Sequence, residues 1–282
     1  QFLVYWAARF AACGVAMFPP PHAPRLARWL GALYFLLDGK HRRVAERNLG
    51  RAGLSPALAP KVFENAALLA VEMILYRGRT APVRIEGREH VDRILARGQG
   101  AILAIGHLGN WELAGLAAAR AGHRLHSLAR PLQNPYLNAW ILGTRTSTGQ
   151  VIVPKRGAVP VMAAVLRRGE ILVVQVDQDM RRSGVMVDFF GRPASTARSP
   201  AVLSLKYGAP IVPVNIYRDR GTHYLCVDTP ILPEEYRGRP DAVRAITQAF
   251  TSRIEAFVRQ HPEQWNWLHR RWKTIERTEG VH

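Results

Sequence analysis

An apolar run, AILAI (101–105), breaks into GHLGNWELAG (106–115), so a histidine and a glutamate five residues apart follow a stretch that reads as buried. A core element has no use for either side chain. His107 and Glu112 suit proton transfer. Histidine alone has an ordinary pKa near neutrality, about 6.5, and a carboxylate can fix its tautomer and stabilise the imidazolium. On spacing alone a second reading is equally open: a turn histidine on a backbone carbonyl, with Glu112 as a first-turn charge on the helix dipole.

The elements around the pair favour a site. AILAI is long enough for one buried strand. Asn110 is a good N-cap, and WELAGLAAARAG (111–122) reads as a helix closed by Gly122. His107 therefore falls in a strand-to-helix turn and Glu112 in the first helical turn. In open α/β sheets this crevice, at the carboxyl ends of strands, is where ligands bind. A five-residue offset allows the carboxylate to fold back onto the ring. Gly109 and the first-turn amides are candidate donors for developing negative charge.

Beyond residue 83 short apolar runs alternate with helical stretches. Strands are expected at 83–87, 101–106, 124–129, 151–154, 170–177, 186–190, 210–217 and 223–228. Helices are expected at 88–97, 110–121, 134–146, 157–168, 198–208 and 240–260. Alternation of this kind predicts an α/β fold with a central, mostly parallel or mixed sheet flanked by helices. Residues 22–77 read as helices, including a basic one over 41–53. The expected organisation is an N-terminal helical, membrane-associating part (1–80) joined to an α/β core (81–282) as one continuous domain. FLVYWAARFAACGVAMF (2–18) is nearly all apolar and is stopped by three prolines. It reads as an anchor or interfacial helix, or else as a buried one.

Charge and cysteine count set outer bounds. The 282 residues carry a formal net charge of +18, and of 39 basic residues 34 are arginine. Either codon usage or a surface that meets anions accounts for this, the anions being nucleic acid, phospholipid headgroups or an acidic carrier protein. Two cysteines, Cys13 and Cys226, are too few for a disulfide framework or structural zinc site. There is no G-x-S-x-G elbow, P-loop or H-E-x-x-H. His123 and His126 stand alone and read as surface or strand residues.

GHLGNWEL resembles the H-x4-D/E motif of glycerolipid acyltransferases, most closely the bacterial lipid A late acyltransferase branch, which includes phosphatidylinositol mannoside acyltransferases. ARPLQNPYLN (129–138), GTRTSTG (143–149), LRRGEILVVQVDQD (166–179), DFFGRPASTARSP (188–200), YGAPIVPVNIYR (207–218) and HPEQWNWLHRRWK (261–273) fit the resemblance in order, over about residues 20–275. It implies acyl transfer from acyl carrier protein or acyl-CoA to a hydroxyl of a membrane lipid or glycolipid, with lipid A-type biosynthesis favoured. His107 would be the general base and Glu112 its orienting carboxylate, with no metal, no cofactor and no covalent acyl-enzyme. Asn110, Arg130, Arg145, Asp177, Gln178 and Asp179 become candidate substrate-binding residues, the arginines for an acceptor phosphate or the thioester carbonyl. Asp177, Gln178 and Asp179 end a strand, where polar residues suit a site wall; turn-capping aspartates are the alternative. The implied location is the cytoplasmic face of the bacterial inner membrane, against an anionic surface and without nucleic acid. HPEQWNWLHRRWK reads either as an interfacial tryptophan–cation patch or as a segment packed on the core.

Overall fold

The computed structural model describes residues 1–76, 81–129, 131–147, 149–154 and 157–278. Four helices come first: α1 (Phe2–Ala16), α2 (Ala23–Leu37), α3 (Gly39–Arg51) and α4 (Ala59–Leu75). The core follows as β1 (Val83–Glu86), α5 (Glu89–Ala96), β2 (Ala101–Ile105), α6 (Trp111–Arg120), β3 (Leu125–Ala129), α7 (Pro135–Thr146), β4 (Val151–Pro154), α8 (Ala158–Arg167) and β5 (Ile171–Gln175). It closes with β6 (Val185–Phe189), β7 (Arg192–Thr196), α9 (Ser199–Tyr207), β8 (Ile211–Asp219), β9 (Thr222–Val227), α10 (Ala242–Gln260) and α11 (Lys273–Thr278). The mixed, mostly parallel sheet flanked by helices is the fold expected from the sequence.

Seven strands form one sheet in the order β1-β9-β8-β2-β5-β3-β4, parallel throughout except where β9 runs antiparallel to β8. Strand β2 sits at its centre and is buried along its whole length. Ala101, Leu103 and Ile105 pack towards α5 and α6, whereas Ile102 and Ala104 join the larger core under α8, α9 and α10. This two-sided burial is why AILAI carries no polar alternation. β6 and β7 form a separate hairpin. β7 was not expected from the sequence, because RPAST (192–196) has a proline and little apolar content.

β2 pairs in parallel with β5, Ile105 opposite Gln175. The residues two places beyond this matched pair are His107 and Asp177. The register of the sheet thus brings together two side chains 70 positions apart.

The N-terminal helices pack by close approach. A Cβ on Gly31 of α2 would lie 2.6 Å from the Glu64 Cα of α4, so only glycine permits this crossing. α1 touches α4 and α7 and leaves most of its apolar surface uncovered: Leu3 is 83% exposed and Phe10 84%. Among the described residues no single helix is long and apolar enough to cross a membrane; α1 and the 20–37 segment pass that test only together, bent by 106°.

Gly31→Val should force α2 and α4 apart and lower stability by about 1–3 kcal/mol, the usual cost of overpacking. Gly14→Val in α1, with nothing within 4 Å of the new Cβ, serves as the comparison and should not. The shift in denaturant midpoint measures both.

Candidate active site

The turn after β2 is fixed from four directions. Gly109 has φ 55, and a Cβ there would lie 2.3 Å from the Ile216 carbonyl oxygen of β8. Its backbone N–H donates to the Gln264 carbonyl (3.0 Å), and the Asn266 N–H donates to the His107 carbonyl (3.0 Å). Asn110, fully buried, caps α6 through Oδ1 to the Leu113 amide (3.3 Å), while its Nδ2 donates to Glu72 Oε2 of α4 (2.9 Å). The Gly109 amide, expected as an oxyanion donor, is thus already engaged; the clamp from 264–266 uses it.

The carboxylate on the His107 ring is Asp177. Nδ1 lies 2.5 Å from Asp177 Oδ1, while Oδ2 accepts from the His107 backbone N–H (2.6 Å) and from Trp265 Nε1 (2.7 Å). With a proton on Nδ1 donated to Asp177, Nε2 is left as the basic nitrogen. Nε2 faces the amide of Gln178 at 3.4 Å. The Trp111 ring meets the imidazole edge-on, with centroids 4.9 Å apart.

Glu112 does not orient the ring. It accepts two hydrogen bonds from Arg145 of α7, from Nε at 2.9 Å and Nη2 at 2.5 Å. The reason is helical geometry: Glu112, the second residue of α6, turns towards α7, and the bidentate guanidinium holds it there. Asn110 likewise leaves the cleft for the interior. Arg145 is bound to Glu112 rather than free, and its pKa is raised, chiefly by that hydrogen bond. Gln178 is exposed and faces the cleft. Asp179 turns away, accepting from the Thr274 amide (2.9 Å) and hydroxyl (2.7 Å) and the Arg181 amide (2.9 Å). Arg130 lies outside the described residues.

The charges follow from these contacts. Burial alone would lower the His107 pKa, but the Asp177 charge and hydrogen bond, helped by the Glu112 charge and a hydrogen bond donated to Gln175, raise it above the ordinary value. Burial pushes Asp177 up, yet the His107 charge, its two hydrogen bonds and Trp265 hold the carboxyl down at about 2. The pair is therefore an ionised carboxylate and an unusually basic imidazole.

His107 opens on a cleft of about 410 Å³, with Trp111, Glu112, Arg145, Gln175 and Gln178 among its walls. Ile105, Gly115 and Val173 are shared with a nearly wholly apolar cavity between the sheet and helices α5 and α6. On the other side Ala129, Leu132 and Arg145 lead into an apolar groove beside α7. Among the described residues no group of three or more His, Cys, Asp or Glu could hold a metal ion.

The tryptophans of 261–273 are core residues. Trp265, Trp267 and Trp272 are at most 2% exposed, and Arg271 is fully buried, donating to the Ser195 carbonyl (2.8 Å) and Thr196 hydroxyl (2.5 Å). Burial pulls the Arg271 pKa down to about 10. The segment braces the His107 turn and the β6–β7 hairpin instead of forming an interfacial patch. Two residues missed from the sequence matter most here: Trp265, which steadies Asp177, and Glu72, which ties α4 to the turn. The run of tryptophans was the only signal for the first. The second had none, since Glu72 looks like any helical glutamate.

Known proteins match over most of the chain. The chain is 30% identical over 271 residues to a phosphatidylinositol mannoside acyltransferase of Mycobacterium tuberculosis, covering 90% of this chain and 84% of that one. It is 29% identical over 257 residues to the protein of the same name from Mycolicibacterium smegmatis, with 86% and 83% covered. It is 28% identical over 200 residues to the lipid A biosynthesis lauroyltransferase of Escherichia coli, with 69% and 62% covered. The profile of bacterial lipid A biosynthesis acyltransferases extends over residues 1–274, taking in the His107 turn, the strand that ends at Asp177 and the tryptophan segment that braces both, and the chain belongs to that family.

Proposed function

We propose that the protein transfers a fatty acyl chain from an acyl thioester to a hydroxyl of a glycolipid at the cytoplasmic face of the bacterial inner membrane. One observation carries the reading: a buried, carboxylate-backed imidazole opens its free nitrogen onto a cleft continuous with apolar space. An alcohol is a poor nucleophile at neutral pH until its proton is taken. His107 Nε2 accepts that proton as the hydroxyl oxygen attacks the thioester carbonyl carbon. The tetrahedral intermediate then breaks its C–S bond, and the departing thiolate takes the proton back from the imidazolium. Asp177 is a positioning residue. It holds the Nδ1–H tautomer and offsets the charge on the ring without taking the proton.

The apolar groove beside α7, of about 510 Å³, suits the acyl chain. Gln150 lines both this groove and the cleft, and Gly115 leaves room for it: a Cβ there would lie 2.7 Å from Gln150 Oε1. The donor is acyl carrier protein or acyl-CoA; an excess of basic residues favours the acidic carrier, whose encounter would weaken with salt. Among acceptors the family points to lipid A precursors. A mannosylated inositol lipid is the second reading, supported because the mycobacterial relatives match 86–90% of the chain and the E. coli relative 69%.

The N-terminal helices supply the membrane contact. The uncovered apolar side chains of α1 and α2, including Phe10, Trp29 and Leu36, lie close in sequence to exposed Arg25, Arg28, Arg43 and Arg47. That combination suits insertion at an anionic headgroup surface. The protein should float with phosphatidylglycerol-containing vesicles, less with neutral ones, and Phe10→Asp with Trp29→Asp should release it. Recovery of the double variant with the anionic vesicles equal to that of the wild type would remove this role.

His107→Ala should lose about 10²–10⁴ in kcat/KM for acyl transfer with circular dichroism unchanged. In the wild type kcat/KM should fall as pH drops through an inflection above about 6.5, because the base must be neutral and its pKa is raised. Asp177→Asn removes the raising charge and leaves burial in control, so the inflection should move to lower pH as the plateau drops. An unmoved inflection in folded Asp177→Asn would deny it this role.

Glu112→Gln should behave differently. It leaves Arg145 without its partner, costing about tenfold, the worth of a charge-assisted pair, with only a small downward move of the acid limb. Combining it with Arg145→Gln should cost less than the sum of the two singles, since they act as a pair. Additive losses in kcat/KM would show that the two act separately.

A further inference from the structure

A second cavity, of about 490 Å³, lies beyond Gln178 and shares Leu128, Gln175 and Gln178 with the His107 cleft. It is more polar than the apolar cavity. Two cations reach it from different parts of the chain: Arg181, in the turn after β5, and Lys273, at the start of α11, which packs against that turn. Among the described residues neither makes an ion pair or side-chain hydrogen bond. Asp179, the only carboxylate on the cavity wall among the described residues, already accepts from three donors. His269 accepts the Asp179 N–H at Nε2 (3.2 Å), which leaves its Nδ1–H as a further donor, and Ser199 adds a hydroxyl.

The backbone at Arg181 is held in a conformation that arginine rarely adopts. Its φ is 52. Its N–H is bound by Asp179 Oδ1 (2.9 Å) and its carbonyl by the Ser195 hydroxyl (2.6 Å). Nothing in local packing asks for an arginine there, since the side chain is exposed. Strain of this kind persists where the surroundings over-determine it and clusters at ligand sites. A paired arginine would explain the position, but none of the acidic residues described is its partner. Arg145, expected to meet a phosphate, is by contrast occupied by Glu112.

We infer that the cavity formed by Arg181, Lys273, His269 and Ser199 binds a phosphate ester of a reactant whose reacting atom lies at His107. Two unpaired cations with neutral donors suit a group with several anionic oxygens. The inference rests on the acyl-transfer reading for the identity of the reactant. The phosphate belongs either to the acceptor headgroup or to the phosphopantetheine-bearing donor.

Equilibrium binding by titration calorimetry on the full chain distinguishes these sources. The ligands are glycerophosphoinositol for the acceptor, coenzyme A for the donor, and neutral inositol. The variant is Arg181→Asn with Lys273→Gln, asparagine being chosen because it tolerates positive φ. Wild type should bind at least one phosphate compound, and the double variant should bind it at least tenfold more weakly. Loss for glycerophosphoinositol assigns the site to the acceptor, and loss for coenzyme A to the donor. Lys273→Arg should keep most of the affinity, which separates lost charge from a damaged fold. The proposal is overturned if wild type binds neither phosphate more tightly than inositol, or if the double variant binds both as wild type does. Binding needs no turnover, so a purified wild-type protein that transfers no acyl chain from either thioester would remove the acyl-transfer reading and leave this test standing.

Discussion

A carboxylate with almost no solvent contact sits at the head of the central strands, and the rest of the site is arranged around making that tolerable. Asp177 is 4% exposed. Burying an isolated carboxylate costs far more than a domain can lose. Its two oxygens are met by the His107 ring, the His107 amide and the Trp265 indole. Each of these donors must be in place at once. Trp265 therefore has to come in from the C-terminal segment, and the backbone after β2 has to turn at Gly106 with its N–H inward. The same compensation gives the imidazole its basicity. Stability and chemistry here draw on a single set of hydrogen bonds.

A second buried carboxylate does a parallel job beneath the turn. Glu72, also 4% exposed, takes two hydrogen bonds from Arg218 of β8 (2.7 and 2.8 Å) and one from Asn110. Its pKa is lowered: burial pushes it up, and hydrogen bonds and charges from His223 and Arg218 outweigh that. Removing either partner would strand a buried charge. α4 is thereby joined to the cap of α6, which sets where His107 stands. The helices that present apolar surface and the turn that holds His107 are mechanically one piece. Gln264 completes the join, its side chain bonded to both the N–H (2.8 Å) and carbonyl (2.9 Å) of Arg218 while its own carbonyl holds Gly109.

The elements were legible in the sequence because their signals are local. Eight expected strands and six expected core helices are present, within about two residues at most ends. AILAI was readable as a fully buried strand, Asn110 as a cap and Gly122 as a stop. The partner of His107 was not readable, because proximity in sequence favours Glu112 and proximity in space is set by β2–β5 pairing. Part of the signal is local all the same: Asp177 reads as the carboxyl end of a strand, on a site wall. What was missing was the order of strands, which no local pattern encodes. The same limit hid Glu72 and Trp265, whose importance lies wholly in contacts 38 and 88 residues away.

The arginine excess takes on a different meaning once the structure is known. Arg145, Arg218 and Arg271 are interior ties: one fixes α6 to α7, one neutralises Glu72, one anchors the β6–β7 hairpin. Arg51 and Arg270 both bind the buried Glu276, joining α3 to the last helix. Lysine would serve poorly in these places, since each uses a planar fork on two acceptors or a weakly hydrated cation out of water. Composition that read as a surface property is thus partly structural. The cations with no such duty lie on the exposed sides of α2 and α3 and, as Arg181 and Lys273, beside the cavity that adjoins the His107 cleft. A lipid surface on one side and a charged reactant on the other would then be met by separate sets of residues, and salt should weaken the two contacts independently.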